Sequence, residues 1–217
     1  MIITAKICGV NSRDAVRAVV AGGASHIGFV FYPPSPRSVS PDQAAALMKD
    51  LPDSIVPVGL FVDADDNWID TVCAVAPLGM LQLHGRETPK RAAALKARHG
   101  RLVMKAISVA KADDVDAAYD YVNAVDWLLF DAKPPPTMTN ALPGGNAVQF
   151  DWSLMASRIC PLPWMLAGGI DADNVGRAVH EANAPVIDVS SGVEDVPGVK
   201  NPQKIANFLT TVAALQS

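Results

Sequence analysis

Residues 2–31 read IITAKICGVNSRDAVRAVVAGGASHIGFVF, and this stretch holds one complete unit of the pattern that decides the fold. An apolar segment comes first, over 2–8. The segment 12–23 then shows a serine cap, an apolar stripe and a glycine stop, which together predict an amphipathic helix. A second apolar segment follows over 26–31. Apolar runs rich in Val, Ile and Phe are typical of parallel strands that are buried on both faces.

The same alternation continues to the end of the chain and gives eight strand–helix units. Six more strands are predicted, at 56–62, 79–84, 102–107, 126–131, 163–168 and 186–191, and seven more helices, at 40–50, 65–76, 87–100, 111–122, 151–159, 171–182 and 201–215. Eight even units favour an α/β fold of the (β/α)8 TIM barrel type. An open doubly wound sheet is the competing architecture, but no G-x-G-x-x-G motif follows the first strand. We expect residues 1–217 to form a single domain, since the chain can build one sizeable core but is short for two.

Composition narrows the class of protein. Lys and Arg total 18 against 22 Asp and Glu, so the net charge is −4 and no basic face for nucleic acid is expected. The three cysteines are far apart and show no metal-site spacing, which fits a reducing compartment. We find no secretory signal pattern and no apolar run long enough for a membrane span. The sequence therefore predicts a cytoplasmic protein without a membrane partner.

In a barrel, the chemistry gathers where strands end and the following loops begin. Cys8 ends the first strand, and Gly9 after it allows a sharp exit or a close approach by a ligand. A thiolate at this place could take a proton from carbon if its pKa were lowered. The alternative is a small buried hydrophobic residue. Lys6 shares the same strand face at about 6.6 Å, which we judge too far for direct contact with Cys8.

Two further side chains stand out at predicted strand ends or in loops. Asp131 ends the sixth strand, where a semi-closed pocket would let its carboxyl group act as a general acid; a turn aspartate is the alternative. Arg37 lies in a loop stiffened by three prolines, over 32–40, and its guanidinium suits a carboxylate ligand. A solvated surface arginine is the ordinary interpretation of such a residue.

The loops after the seventh and eighth strands predict a phosphate site. Barrels often bind phosphate there through backbone N–H groups and a helix N-terminus. Small residues let the backbone approach an anion closely, and here they are Gly168, Gly169, Ser191 and Gly192. A glycine pair by itself is a weak signal and most often marks a turn.

Other polar residues near strand ends remain open candidates. They are Asp63, Gln82, His84 and Asp188. His84 could line the pocket, and a hydrogen-bonded structural histidine is an equal alternative. Lys105 lies inside an apolar strand, and we expect it to pair with Asp63 or another carboxylate because an unpaired buried charge is costly. The loop over 132–149 is long enough to be functional or mobile.

Taken together, the strand ends resemble the phosphoribosylanthranilate isomerase family of tryptophan biosynthesis. The motifs that carry the resemblance run nearly end to end: KICGV, FVFYPPSPRSV, VGLFVD, LQLHG, LLFDAK, PGGN…FDW, LAGGI…DNV and DVSSGVE…PGVK. The resemblance implies an Amadori rearrangement of N-(5-phosphoribosyl)anthranilate, with no cofactor and no metal. It also implies that Cys8 is the general base, Asp131 the general acid and Arg37 the ligand of the anthranilate carboxylate, with Gly168, Gly169, Ser191 and Gly192 in the phosphate loops.

The sequence departs from the family pattern in one loop and leaves two rivals in view. GGNA, over 144–147, stands where GGTG is usual, so the loop is expected to close differently because Ala147 lacks the freedom of glycine. The histidine-pathway Amadori isomerases resemble the chain but carry an aspartate at the end of strand one, where this chain has Cys8. A non-catalytic sensor of phosphorylated ligands would need no acid–base pair. A phosphorylated small molecule is the expected ligand, and both monomer and homodimer remain open.

Overall fold

Eight parallel strands form the centre of the molecule. The computed structural model describes residues 2–135, 137–139, 142, 144–156, 158 and 160–215. The strands close into a barrel in chain order, with the eighth paired to the first. They are β1 (Thr4–Cys8), β2 (His26–Val30), β3 (Val56–Phe61), β4 (Met80–Leu83), β5 (Leu102–Val109), β6 (Trp127–Ala132), β7 (Trp164–Leu166) and β8 (Val186–Val189). The predicted (β/α)8 TIM barrel is confirmed.

The helices follow the predicted order, with bounds that differ from the predicted ones by a few residues. They are α1 (Arg13–Ala21), α2 (Pro41–Met48), α3 (Asp66–Val75), α4 (Pro89–His99), α5 (Ala112–Asp116), α6 (Ser153–Ala156), α7 (Val175–Ala182) and α8 (Pro202–Ala214). Ser12 caps α1, and Ser40 with Gln43 forms a capping box at α2. Gly100 adopts the left-handed conformation and ends α4. In the described part of the chain, none of these helices has the length and apolar character that crossing a membrane requires.

Some predicted elements are shorter in the structure. The helix predicted over 111–122 is α-helical only in α5 and continues as a 3₁₀ helix over Ala117–Tyr121. The helix predicted over 151–159 is reduced to α6, and its positions 157 and 159 lie outside the described residues. Strand β7 stops before Gly168 because that residue takes a positive φ, which leaves the extended conformation.

A hairpin after β8 was not predicted. It pairs β9 (Glu194–Val196) with β10 (Val199–Lys200) and sets Glu194 beside Lys200. Pro197 and Gly198 form its turn, and Gly198 has a φ of 87°. Proline followed by a glycine with positive φ is the sequence signature of a type II turn, so the signal was present in PGVK.

The inner face of the barrel divides into an apolar and a polar layer. Alternate residues of each strand point inward, and many of them form an apolar cluster: Val58, Met80, Met104, Ala106, Leu129, Met165, Ala167 and Val186. Nearer the carboxyl ends of the strands, buried inward positions carry polar side chains: Lys6, Gln82, Asp131 and Asp188. The opposite faces of the strands pack on the helices in the main core. Burial of the apolar faces thus holds polar groups beneath the barrel mouth.

Candidate active site

One cavity at the carboxyl ends of the strands brings the predicted site residues together. It is lined by Cys8, Arg37, His84, Asp131, Gly168, Gly169, Asp188 and Ser191. These residues come from loops and strand ends spread over the whole chain, and closure of the barrel makes them neighbours. The geometry therefore matches what the strand-end argument predicted for these eight residues, whose roles remain predictions.

Cys8 lies at the floor of this cavity as a free, buried thiol. Burial raises the pKa of the thiol above its ordinary value, while the positive charges of Lys6 and Lys200 oppose the rise. Gly9 has a φ of 77°, and a Cβ there would lie 2.6 Å from Cδ of Arg37. Glycine at this position thus lets the strand turn away sharply while the arginine side chain crosses directly above it.

Lys6 forms a buried ion pair with Asp188. Its ammonium group lies 2.8 Å from Oδ1 of Asp188, its neighbour across the β1–β8 pairing. Burial pulls the pKa of Lys6 down, but the charges of Asp188 and Cys8 outweigh burial and raise it. Lys6 and Cys8 nevertheless influence each other's pKa, because a lysine side chain reaches beyond the backbone spacing that the sequence argument used. A buried ion pair therefore lies under the thiol.

Asp131 meets His84 at the cavity wall. Its Oδ1 accepts a hydrogen bond from the backbone N–H of Ala132 at 2.8 Å, and its Oδ2 lies 3.3 Å from Nε2 of His84. Gln82, the preceding inward residue of β4, lies 3.2 Å from Nδ1 of the same imidazole. A Cβ at Gly144 would come within 2.8 Å of both His84 and Asp131, so only glycine lets this loop cover the pair. His84 thus lines the pocket, which was the first of the two interpretations offered for this residue.

Arg37 is held by residues that sequence analysis missed. Its Nε and Nη2 donate to the two carboxylate oxygens of Glu194, each at 2.8 Å. Lys200 donates to the same carboxylate at 2.6 Å, and all three side chains are buried. Burial alone would raise the pKa of Glu194, but Arg37 and Lys200 outweigh it and hold the pKa below its ordinary value. Arg37 is therefore an oriented cavity residue and not a solvated surface arginine.

The loops after β7 and β8 form the other end of the cavity. Gly168 and Gly169 have φ values of 95° and 61°. Within the described residues, their backbone N–H groups donate no hydrogen bond. Ser190 and Ser191 line the cavity opposite them. Free N–H groups and small residues are what a bound anion requires, which agrees with the predicted phosphate site.

Gly192, in the loop after β8, does not line the cavity with the other small residues. It is absent from the cavity lining in the described part of the chain, and a Cβ there would meet the carbonyl oxygen of Ile170 at 2.1 Å. Its small size therefore serves packing between the two loops. A role for Gly192 in binding substrate stays a prediction, and the structure gives it a different reason to be glycine.

Apolar side chains form part of the lining of the same cavity. They belong to Val30, Tyr32, Leu60, Val62 and Leu142. Side chains of this kind bury flat apolar groups such as an aromatic ring. The cavity therefore combines a cation, apolar side chains, a thiol and a carboxyl group with the loops of the predicted anion site.

The loop predicted over 132–149 forms part of the same cavity. Positions 136, 140, 141 and 143 of this loop lie outside the described residues. Gly145 accepts a hydrogen bond from Arg37 at 3.3 Å through its carbonyl oxygen. Ala147 has a φ of 56°, the left-handed conformation that glycine adopts more readily. The loop therefore keeps a glycine-like backbone at the position where this chain carries alanine.

The expectation that Lys105 pairs with Asp63 or another carboxylate is confirmed, and the carboxylate is Glu87. The lysine ammonium group lies 3.2 Å from Glu87 and 2.7 Å from the carbonyl oxygen of Gly85. Asp63 instead accepts a hydrogen bond from the backbone of Arg86 at 2.6 Å and does not line the cavity among the described residues. Lys105 thus pairs with another carboxylate, and this group stabilises the fold beside the site.

Comparison with known proteins gives one family over almost the full length. The family model described as "PRAI: N-(5'phosphoribosyl)anthranilate (PRA) isomerase" matches residues 5–211. The N-(5'-phosphoribosyl)anthranilate isomerase of Rhodospirillum centenum is 52% identical over 215 residues, covering 99% of this chain and 100% of that protein.

Solved structures agree. A crystal structure of monomers generated from the dimeric phosphoribosylanthranilate isomerase of Thermotoga maritima has a TM-score of 0.82 at 31% identity. A phosphoribosyl anthranilate isomerase in complex with reduced 1-(o-carboxyphenylamino)-1-deoxyribulose 5-phosphate has a TM-score of 0.83, also at 31% identity. In both comparisons the similarity covers 98% of this chain and 99% of the other.

Proposed function

The chain belongs to the N-(5'-phosphoribosyl)anthranilate isomerase family, and from that premise we propose that Cys8 is its general base and Asp131 its general acid. The enzyme catalyses the Amadori rearrangement of N-(5'-phosphoribosyl)anthranilate to 1-(2-carboxyphenylamino)-1-deoxyribulose 5-phosphate in tryptophan biosynthesis. The observation that carries the residue roles is the single cavity lined by both a buried thiol and a carboxyl group.

The substrate has two anionic ends, and the cavity offers a partner for each. The phosphate binds the backbone N–H groups of Gly168 and Gly169, with Ser191 beside them. The carboxylate binds Arg37. Because Nε and Nη2 of this side chain are engaged by Glu194, its Nη1, which points towards Gly145, is the donor that remains. Holding both ends stretches the sugar past the catalytic groups, and such positioning supplies a large part of the acceleration.

Ring opening is the first chemical step. The proton of the Asp131 carboxyl group moves to the ring oxygen of the furanose. The bond between that oxygen and C1 breaks, and the electron pair stays with oxygen. The lone pair of the anthranilate nitrogen forms the C=N bond of a protonated Schiff base, so charge and atoms balance.

Proton removal from carbon follows. The Cys8 thiolate takes the proton from C2, and the released electron pair forms a C1=C2 bond while the C=N electrons return to nitrogen. The resulting enolamine gains a proton at C1 and loses one from its C2 hydroxyl group, which gives the ketone. The positive charges of Lys6 and Lys200 favour the thiolate. Each positioned proton transfer typically contributes about 10²–10⁴-fold.

Steady-state kinetics of three variants test these roles. We expect Cys8→Ala and Asp131→Asn to lower kcat by at least about 10²-fold with little change in KM, because each removes a proton transfer. Arg37→Met should mainly raise KM. Cys73→Ala is the matched control, since Cys73 is a free cysteine on α3 away from the cavity. Wild-type turnover by Cys8→Ala or by Asp131→Asn would remove the role assigned to that residue.

The remaining expectations concern the setting of the enzyme. We propose that residues 1–217 form one domain that works in the cytoplasm without a metal or cofactor, and that neither nucleic acid nor membrane is a partner. The T. maritima relative is described as dimeric, so monomer and homodimer are the two states proposed here. Sedimentation of the purified chain distinguishes them.

A further inference from the structure

Gln82 is a buried polar residue to which the mechanism assigns no role. It lies on the inward face of β4 with 0% of its surface exposed. Its side-chain nitrogen lies 3.2 Å from Nδ1 of His84. Its Oε1 has no hydrogen-bond partner among the described residues. Burying an amide oxygen without a hydrogen-bond partner costs free energy, so its place beneath the barrel mouth calls for an explanation.

The orientation of the Gln82 amide is linked to which nitrogen of His84 carries the proton. A neutral imidazole has one donor and one acceptor nitrogen, while an amide NH₂ group only donates. With its amide nitrogen facing Nδ1, Gln82 donates to that nitrogen, and the proton of the neutral ring then lies on Nε2. That nitrogen is buried and lies 3.3 Å from Oδ2 of Asp131. The three side chains thus form a line from the barrel interior to the proposed general acid.

We propose that Gln82 is a positioning residue that holds His84 in the Nε2–H tautomer, so that His84 donates to the Asp131 carboxylate formed during ring opening. The inference rests on the proposed role of Asp131. A hydrogen bond to the charged form of a carboxyl group favours that form, so the donor assists release of the proton to the substrate. His84 does not hydrogen-bond Asp131 with good geometry in the free chain, and catalytic hydrogen bonds commonly tighten only when substrate binds.

The neutrality of Gln82 is part of the proposal. An amide neither gives up nor takes a proton at working pH, so the imidazole keeps one tautomer throughout the cycle. A carboxylate at the same place would accept from Nδ1 instead. It would favour either the Nδ1–H tautomer or the imidazolium. Nε2 would then face Asp131 either without a proton or on a positively charged ring.

Nitrogen-15 NMR of the histidine side chains tests the proposal directly. The chain has four histidines, and His84→Asn identifies the signals of position 84. We expect the wild-type enzyme at pH 8 to show Nε2 protonated and Nδ1 unprotonated. Gln82→Met should lose this single-tautomer signature, and Gln82→Glu should shift it to Nδ1–H or to the doubly protonated ring. Met104→Leu is the matched control because Met104 is the buried strand neighbour of Gln82, and it should keep the wild-type signature.

Kinetics give the functional half of the test. We expect Gln82→Met to lower kcat roughly tenfold, as loss of one hydrogen bond to a charged group predicts, with KM within about twofold. A wild-type spectrum with the proton on Nδ1, or a Gln82→Met enzyme that keeps both tautomer and kcat, overturns the proposal. The wild-type spectrum needs no variant, so a poorly folded variant does not block the test. Wild-type activity of Asp131→Asn would instead overturn the general acid and leave the tautomer result standing.

Discussion

Replacement of Glu194 by glutamine is the most revealing single change the structure suggests. The Glu194 carboxylate joins two buried cations: it accepts from Arg37 at 2.8 Å through both oxygens and from Lys200 at 2.6 Å. Glu194→Gln keeps the shape and one carbonyl oxygen. It removes the negative charge and turns the other oxygen into an NH₂ group, which faces a donor. Two buried positive charges then lose their shared counter-ion.

The size of the effect follows from this geometry. Removing one partner of a buried ion pair costs about 3–5 kcal/mol. The retained carbonyl oxygen satisfies one donor, so we expect the lower end, about 3 kcal/mol. For a chain of this length, each kcal/mol lowers the unfolding midpoint by about 2–4 °C, and the expected shift is therefore about 6–12 °C. KM should rise more than kcat falls, because the Arg37 guanidinium loses the anchor that aims it at the substrate carboxylate.

Thermal unfolding and steady-state kinetics of the variant give both measurements. Asp195→Asn is the matched control: the adjacent carboxylate is exposed and pairs with Lys204 on the surface, so the midpoint and KM should stay at wild-type values. A midpoint of Glu194→Gln within about 2 °C of the wild-type value would refute the reasoning about the buried cations. A large midpoint shift with unchanged KM would show that Arg37 needs no anchor.

Three other predictions follow from the same coordinates. Because burial raises the pKa of the Cys8 thiol above its ordinary value, the rate at which iodoacetamide alkylates Cys8, with Cys8→Ala as the blank, should climb about tenfold per pH unit up to about pH 8.5, the ordinary pKa of a thiol; a plateau that begins below about pH 8 contradicts it. Burial and the charge of Lys6 lower the pKa of His26 from 6.5 to about 4, so the unfolded chain binds a proton that the folded chain does not, and stability present above pH 6.5 is lost as pH falls towards 4. The loss is about 3 kcal/mol, and urea unfolding should show it in the wild-type enzyme but not in His26→Gln. Ala147→Gly relieves about 1–2 kcal/mol of left-handed strain but costs about 0.4–1 kcal/mol, because glycine makes the unfolded chain more flexible. The free energy of unfolding should therefore rise by about 0.5–1 kcal/mol. Ala46→Gly, at an exposed position of α2, should lower it, and a change of the same sign in both variants would contradict the assignment of strain.

Strand ends were readable from the sequence because the period of apolar residues and the capping residues are local signals. The run before Asp131 is apolar over 127–130, the run before Cys8 is apolar apart from Thr4 and Lys6, and barrel geometry sends such strand ends to one face. The same logic located Arg37 on its proline-stiffened loop. Gly192 shows the limit of this logic: a small residue in a strand-end motif can serve packing as well as binding.

Partners of the charged residues were not readable. Lys6 and Asp188 are 182 positions apart, and Arg37 and Glu194 are 157 apart. Glu194 lies in the motif DVSSGVE, three residues after the predicted strand end, so a charge at that place was a usable signal. Nothing local, however, shows that its carboxylate meets Arg37, because that contact requires the β9–β10 hairpin to fold across the barrel mouth.

The sequence by itself determined the order of strands and helices, the barrel they form and the side chains that stand at its mouth, since hydrophobic period and capping act over a few residues. Only the tertiary structure decided which charges neutralise one another and which nitrogen of His84 faces Asp131. Those contacts join strands that meet only when the barrel closes. Hydrogen bonding in a buried interior depends on atomic positions to within a few tenths of an ångström.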